Sequence, residues 1–252
     1  MVKKKRPRLI GIIPARGGSQ GIPGKNSKLF CGKPLIAWSI LAALQSKKLD
    51  RVFVSTDSPA IARIAKRYGA EVIIRPDELA TASIGIEPTL KHAYEHLKDT
   101  ERYVADGIAL MMPTTPTRQS FHIDNAIMLF LSKNTTSVVG VNPTPANHTP
   151  YWTLVRGPKG HVTLWGGVPL KHILTRRQDF PQVCYARNDI IYVLNPQNLY
   201  DSEKSNLYGK KVELYVVAHS EQYELDINTP GEWHDGEIKF KSLFIKPKAS
   251  RK

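Results

Sequence analysis

The chain is short of cysteine, of long apolar runs and of repetition. Its 252 residues hold two cysteines, Cys31 and Cys184. They lie far apart and in no zinc or redox spacing, so they are expected to be free thiols in a reducing compartment. No apolar run approaches the roughly 18 residues that a membrane span needs. The basic start "MVKKKRPRLI" leads into an apolar stretch broken by Pro14 and Arg16, a pattern unlike a signal peptide. His92, His96, His148, His161, His172, His219 and His234 are scattered. Of these, His92 and His96 stand four apart on an expected helix but have no third ligand for zinc. Internal repeats and low-complexity tracts are absent. These shortages exclude a disulfide scaffold, a membrane span, a zinc module and a solenoid.

Acidic residues are also in deficit: 22 Asp and Glu against 36 Lys and Arg give a net charge of +14. Nine of the positive charges sit at the ends (Lys3, Lys4, Lys5, Arg6, Arg8, Lys246, Lys248, Arg251, Lys252), which leaves the body at +5. Residues 1–8 and 241–252 therefore read as basic, solvated tails. No helix carries a basic stripe, and no aromatic platform is interleaved with Arg. Trp152 and Trp165 are expected to serve packing or a dimer contact. Nucleic acid is not expected as a partner beyond a weak contact through the tails, and the N-terminal run would serve as a nuclear address only in a eukaryotic protein. A body at +5 suits an anionic small substrate.

What is present is a β-α-β alternation. Strands are expected at 9–15, 51–56, 70–75, 107–112 and 136–141, and helices at 34–46, 58–69, 86–98 and 120–133. Strands follow again at 189–194, 212–217 and 223–227, with a closing helix from about 230. Between 142 and 187 the pattern breaks into Pro-, Gly- and aromatic-rich segments, expected to form an insertion of hairpins and loops acting as a lid or dimer contact. The fold class is α/β: a Rossmann-like, mostly parallel sheet with helices on both faces, forming one domain over 9–240. Ligands of such sheets bind at the C-terminal rim of the strands.

The first strand runs into "IIPARGGSQGIPGKN" (12–26) at that rim. Glycines let backbone N–H groups converge on an anion. Arg16 offers a forked donor, Lys25 a mobile charge and Ser19 a hydroxyl. The loop is neither a Walker loop, because Asn26 follows Gly-Lys, nor a dinucleotide fingerprint. It has the makings of a polyphosphate cradle. In "STDS" (55–58), Asp57 is either functional or part of a helix cap.

This loop, with "GKPLIAWSI", "VFVSTDS", "RPDELA", "MPTTPTR" (112–118), "RRQDFPQV" (176–183), "NDIIYV" and "YELDINTP", resembles the acylneuraminate cytidylyltransferase family. That family comprises the CMP-sialic acid synthetases and their legionaminic and pseudaminic relatives; Kdo cytidylyltransferases match less well. The resemblance spans about residues 9–235. It implies a nucleotide-diphospho-sugar transferase type of fold, a homodimer with the inserted region reaching the partner, and Mg²⁺ as cofactor; the cytoplasmic location is expected from the free thiols. In the implied reaction the anomeric hydroxyl of a nine-carbon 2-keto sugar acid attacks the α-phosphorus of CTP, and pyrophosphate leaves. Ala15, Arg16, Gly17, Gly18, Ser19, Lys25, Asn26 and Arg75 correspond to nucleotide-binding positions. Arg118, Arg176 and Arg177 correspond to sugar-binding ones. Asp226 and Asn228 correspond to the metal motif, and Arg16, Lys25 and Asp226 to the catalytic group. No residue stands out as general base. Gln20, Met112, Ala82, Ile86 and Asn228 depart from the family pattern. Those departures leave two other readings open: a nucleotide-binding paralogue with weak or no turnover, and a transferase for another sugar acid such as Kdo.

Overall fold

The computed structural model describes residues 6–158, 160–201 and 207–245. The expected tails lie outside these residues at 1–5 and 246–252. The chain divides into two compact units, one made of residues 1–140 with 189–252 and the other of Val141–Asn188. The second unit begins and ends within a residue of the segment where the alternating pattern breaks.

The first unit is built on a sheet that starts with β1 (Leu9–Pro14), buried along its whole length. A short hairpin follows, β2 (Leu29–Phe30) and β3 (Lys33–Pro34), then α1 (Leu35–Leu44). Next come β4 (Arg51–Thr56), α2 (Pro59–Arg67) and β5 (Glu71–Ile74). Then α3 (Ile86–Glu101), β6 (Gly107–Leu110), α4 (Ser120–Ser132) and β7 (Ser137–Pro143) complete the regular alternation. The second unit holds the hairpin β8 (Leu154–Arg156) and β9 (Val162–Leu164). The chain closes through β10 (Tyr185–Leu194), β11 (Val212–Val216), a one-turn α5 (Ser220–Tyr223) and α6 (Pro230–Phe244).

The seven-stranded sheet has the order β11-β7-β10-β6-β1-β4-β5. β1 pairs parallel with β4 and β6, and β4 pairs parallel with β5; β10 runs antiparallel to β6. β1 thus lies between the strand that follows it, β4, and the later β6. The order reverses beside β1, and a crevice opens there at the strand ends. The loops that leave β1 and β6 border it. The main core packs Ile13, Ile36, Ile40, Val54, Ile127 and Ile191 between the sheet and its helices. A smaller cluster of Phe30, Leu35, Ile227, Trp233 and Phe240 seats α6 against the hairpin.

Local signals explain the boundaries. Ser58 caps α2 by accepting from the Ile61 N–H at 3.4 Å, Pro59 opens the helix, and Gly69 leaves it at φ 93°. Thr229 and Glu232 form a reciprocal capping box at the start of α6. Two expectations need correction. Residues 223–227 do not form a strand: Ser220–Tyr223 makes a helical turn, and the chain then runs on without a ladder, its carbonyls bonded to side chains (Thr117 to Tyr223 O, Lys239 to Glu224 O) and the Ile227 N–H to Thr114 O at 3.0 Å. Its polar residues Asp226 and Asn228 are exposed rather than paired in a ladder. The 27–34 stretch, to which the sequence pattern assigns no element before the helix at 34, forms the β2–β3 hairpin, with Cys31 at φ 48° and Gly32 at φ 86° in the turn. In addition, α6 continues to Phe244, four residues into the expected C-terminal tail.

Candidate nucleotide site

The loop after β1 is held from two sides. Asp57, just past β4, accepts the Gly17 N–H at 3.1 Å and pairs with the Arg75 guanidinium at 3.5 Å. The carboxylate is thus an anchor for the loop, while the neighbouring Ser58 does the capping. The Gly17 amide is therefore spent. The amides of Gly18 to Gly21 donate to no described residue. On the other side, a Cβ at Gly21 would stand 2.1 Å from the Asn228 carbonyl oxygen, so only glycine permits this approach.

Ala15 ends the strand, with its N–H bonded to Ser55 O at 2.9 Å. Ser19 is partly exposed and Gly18 exposed. Asn26 is buried; its amide nitrogen donates to Arg16 O at 3.2 Å, while its Oδ1 has no partner among the described residues. Arg75 is 5% exposed and donates to the Thr89 hydroxyl at 3.1 Å, and its Nε likewise has no partner there. A buried acceptor and a buried donor left open are costly unless a ligand completes them. Arg16 and Arg75 line a cavity of about 250 Å³. Its walls carry Leu79, Ala82, Ile84, Ile86 and Met112, with Thr81 and Thr89 as hydroxyls. The space is small and mixed in character, with apolar walls and a few fixed polar groups, which suits a flat heterocycle.

Lys25 is half-buried. Its ammonium donates to the Ile227 carbonyl at 2.7 Å and to Asn228 Oδ1 at 2.9 Å. Asn228 Nδ2 donates to Asp226 Oδ2 at 2.6 Å. Burial lowers the Lys25 pKa, Asp226 and Glu232 oppose this, and Arg16 adds to the lowering. Burial likewise lowers Arg75 against the pull of Asp57, again with Arg16 adding to it. Arg16 thus lies close enough to both cations to disfavour their charge. A polyanion would relieve the repulsion that Arg16 exerts on each of them.

A metal can be tested against this donor set. Among the described residues, no three His, Cys, Asp or Glu side chains gather closely enough to hold an ion. Asp226 offers a single exposed carboxylate. Glu232 is committed to the Asn228 and Thr229 amides at 2.8 and 2.9 Å. The Asn228 oxygen faces Lys25, so this residue bridges and does not point a free donor outward. One carboxylate plus phosphate oxygens and water fits magnesium.

The expected sugar residues part company. Arg118 is 1% exposed, and its guanidinium is used inside the fold. It donates to the Ile190 carbonyl, to Ser39 Oγ at 2.7 Å, and to the Met112 and Asp189 carbonyls, both at 2.8 Å. Burial lowers its pKa to about 9, against Asp189, Tyr192 and Asp226, so it remains a cation at neutral pH. It ties the loop after β6 to β10, and four of its five N–H groups are spent on these acceptors. Arg176 and Arg177 lie in the second unit. Arg176 forms a two-bond pair with Asp179, at 2.9 Å each. Arg177 is exposed and lines a cavity of about 500 Å³ with Thr144, Gln178, Phe180, Gln182 and Cys184. In the same unit, Trp152 packs edge-on to Phe180 at 5.0 Å, while Trp165 is exposed.

Sequence reasoning missed the role of Asp57, the approach of Gly21 to Asn228, and the bridge from Lys25 through Asn228 to Asp226. Only the T-x-x-E spacing of Thr229 and Glu232 was readable in advance, as a helix start.

Comparison with known proteins gives the family and the fold. The family profile described as cytidylyltransferase matches residues 10–141. The N-acylneuraminate cytidylyltransferase of Escherichia coli O18:K1:H7 is 32% identical over 88% of this chain, and the chain spans about half, 50%, of that longer protein. The CMP-N,N'-diacetyllegionaminic acid synthase of Legionella pneumophila is 32% identical over 90% of this chain and 93% of its own length. A solved CMP:2-keto-3-deoxy-manno-octonic acid synthetase complexed with CTP superposes with a TM-score of 0.70 at 16% identity, over 93% of this chain and 99% of that one. At that identity the likeness concerns the fold.

Proposed function

The chain belongs to the cytidylyltransferase family, and from that premise we propose that it joins CTP to a nine-carbon 2-keto sugar acid of the sialic acid kind and releases pyrophosphate. The anomeric hydroxyl forms a bond to the α-phosphorus, the bond from that phosphorus to the bridging oxygen breaks, and pyrophosphate departs. Such a transfer is promoted chiefly by positioning and charge neutralisation. The observation that carries the reading is that Arg16 neighbours both Lys25 and Arg75, that the two arginines line one small cavity, and that the buried Arg75 Nε and Asn26 Oδ1 have no partner among the described residues.

Each residue then has a task. The open amides of Gly18 to Gly21, with Ser19, receive phosphate oxygens. Arg16 and Lys25 neutralise the triphosphate and the leaving pyrophosphate. Arg75 Nε and Asn26 Oδ1 take up polar groups of the nucleoside, whose base lies against Ile86 and Met112. Asp226 is the carboxylate that would hold Mg²⁺, and the ion, when bound, offsets charge on the phosphates. Arg177, the arginine of its pair that is not tied to Asp179, takes the sugar carboxylate. A homodimer formed through exposed apolar side chains of the second unit, such as Leu154, Trp165 and Val183, belongs to the same reading. So does a reducing cytoplasm, which suits the free thiols Cys31 and Cys184.

The test is incubation with CTP, UTP, ATP or GTP and a panel of 2-keto sugar acids with Mg²⁺, following pyrophosphate and identifying the product by mass spectrometry. CTP with a sialic acid-like acceptor should give the CMP-sugar, and Lys25→Ala should reduce turnover by orders of magnitude with the fold intact. An unchanged rate in Lys25→Ala refutes the assignment. The amide at Asn228 also motivates a second reading, nucleotide binding without turnover, in which CTP raises the melting temperature and no product forms.

A further inference from the structure

Asn228 touches both charged groups on which the proposed reaction depends. Its Oδ1 accepts from Lys25 at 2.9 Å and its Nδ2 donates to Asp226 at 2.6 Å. The orientation of the amide is forced, because an ammonium only donates and a carboxylate only accepts. Its main chain is fixed as well. The Asn228 N–H bonds Glu232 Oε2 at 2.8 Å, and the Gly21 backbone abuts its carbonyl so closely that a Cβ would stand 2.1 Å away. The bridge therefore links the glycine loop to the start of α6.

Neutrality at this place has a consequence. A carboxylate at 228 would hold Lys25 as an ion pair and stand next to Asp226. Two anions beside the phosphate cradle would oppose a triphosphate until a divalent cation intervened. The amide instead leaves Lys25 on two uncharged acceptors, the Ile227 carbonyl and its own Oδ1, from which a phosphate can draw it. It also occupies an oxygen of Asp226. Arg16 adds attraction for an anion, and Glu232 is bound to main-chain amides.

We propose that Asn228 is a positioning residue that makes capture of a nucleoside triphosphate by this site independent of divalent metal, leaving the cation to the transfer step. The inference rests on the proposed nucleotide site.

The experiment is isothermal titration of the full chain with CTP, in excess EDTA and in Mg²⁺, for the wild type and Asn228→Asp. The substitution is isosteric at an exposed position, and a thermal melt checks that the fold is kept. The wild-type dissociation constant should change by no more than about threefold between the two conditions. Asn228→Asp should lose on the order of tenfold or more in EDTA, from one added charge near the phosphates, and recover in Mg²⁺. Wild-type binding that collapses in EDTA overturns the proposal, as does Asn228→Asp binding equal to wild type in EDTA. Absence of CTP binding in both buffers overturns the underlying nucleotide assignment along with it. The Mg²⁺ titration of the wild type tells that failure apart from failure of the inference alone.

Discussion

Replacing Arg118 by Met separates a structural arginine from a substrate-binding one. The guanidinium donates to three carbonyls, Met112, Asp189 and Ile190, and to the Ser39 hydroxyl, in a site 1% exposed. Met fills similar volume and offers no donor. A hydrogen bond to a charged group counts about 1.5–3 kcal/mol net. Because Met112 O also accepts from the Ser39 hydroxyl at 3.3 Å, two lost bonds are a conservative count, and they cost roughly 3–6 kcal/mol. Against a typical total of about 5–15 kcal/mol, that is a large part of the stability of the domain. For a chain of this length each kcal/mol corresponds to about 2–4 °C in melting temperature, which places the expected fall at roughly 6 °C or more. Arg118→Lys keeps the charge but cannot reach all four acceptors, and should fall between. Urea unfolding followed by tryptophan fluorescence and circular dichroism measures the loss, with turnover assayed separately. An Arg118→Met protein that unfolds with wild-type stability yet has a raised KM for the sugar acid would show that the side chain serves the substrate, and its assignment as an internal brace would be wrong.

Gly21→Ala must push the loop away from the Asn228 carbonyl; overpacking of this sort costs about 1–3 kcal/mol. Because the strain falls on the segment that carries Lys25, CTP affinity measured by calorimetry should drop more than global stability does. His122 is buried among Phe121, Tyr215 and Tyr223. Burial, with Arg118 nearby, lowers its pKa to about 4. The unfolded chain therefore binds a proton that the folded one refuses, and stability present above about pH 6.5 is lost as the pH falls toward 4. By pH 5 this site alone should cost roughly 2 kcal/mol in urea titrations, and His122→Asn should remove that part of the slope. In the second unit, Arg177→Gln should raise the KM for the sugar acid about tenfold or more, as loss of a charge-assisted bond implies. Arg176→Gln, whose guanidinium is paired with Asp179, should change it less; equal effects would argue against the assignment.

Much of the fold was legible in the chain itself because its signals are local. Continuous apolar runs such as "LIGIIP" mark strands buried on both faces. Ser58-Pro59 and Thr229-Pro230 with Glu232 mark helix starts by supplying the acceptors that the first turn lacks. The glycine loop was legible as a cationic loop at the rim of the sheet because its position follows from strand order and its chemistry from residue type. The 223–227 segment misled because its alternation is that of a strand, while it has no partner ladder; pairing is a property of the sheet and not of the segment. Arg118 misled for a related reason. An arginine after a strand has the same letters whether its fork meets a ligand or three carbonyls, and only the arrival of Ser39, Asp189 and Ile190 decides which.

The sequence alone determined the order of strands and helices, the cationic loop at the end of the first strand and the break between 142 and 187, since each depends on residues adjacent in the chain. Tertiary structure alone decided that Asp57 anchors the loop, that Arg118 is spent inside the fold, and that Lys25 meets Asn228 across 203 positions. Charges and hydrogen bonds act over a few ångströms of space whatever the separation along the chain, so the partner of a polar side chain is fixed only when the chain has folded.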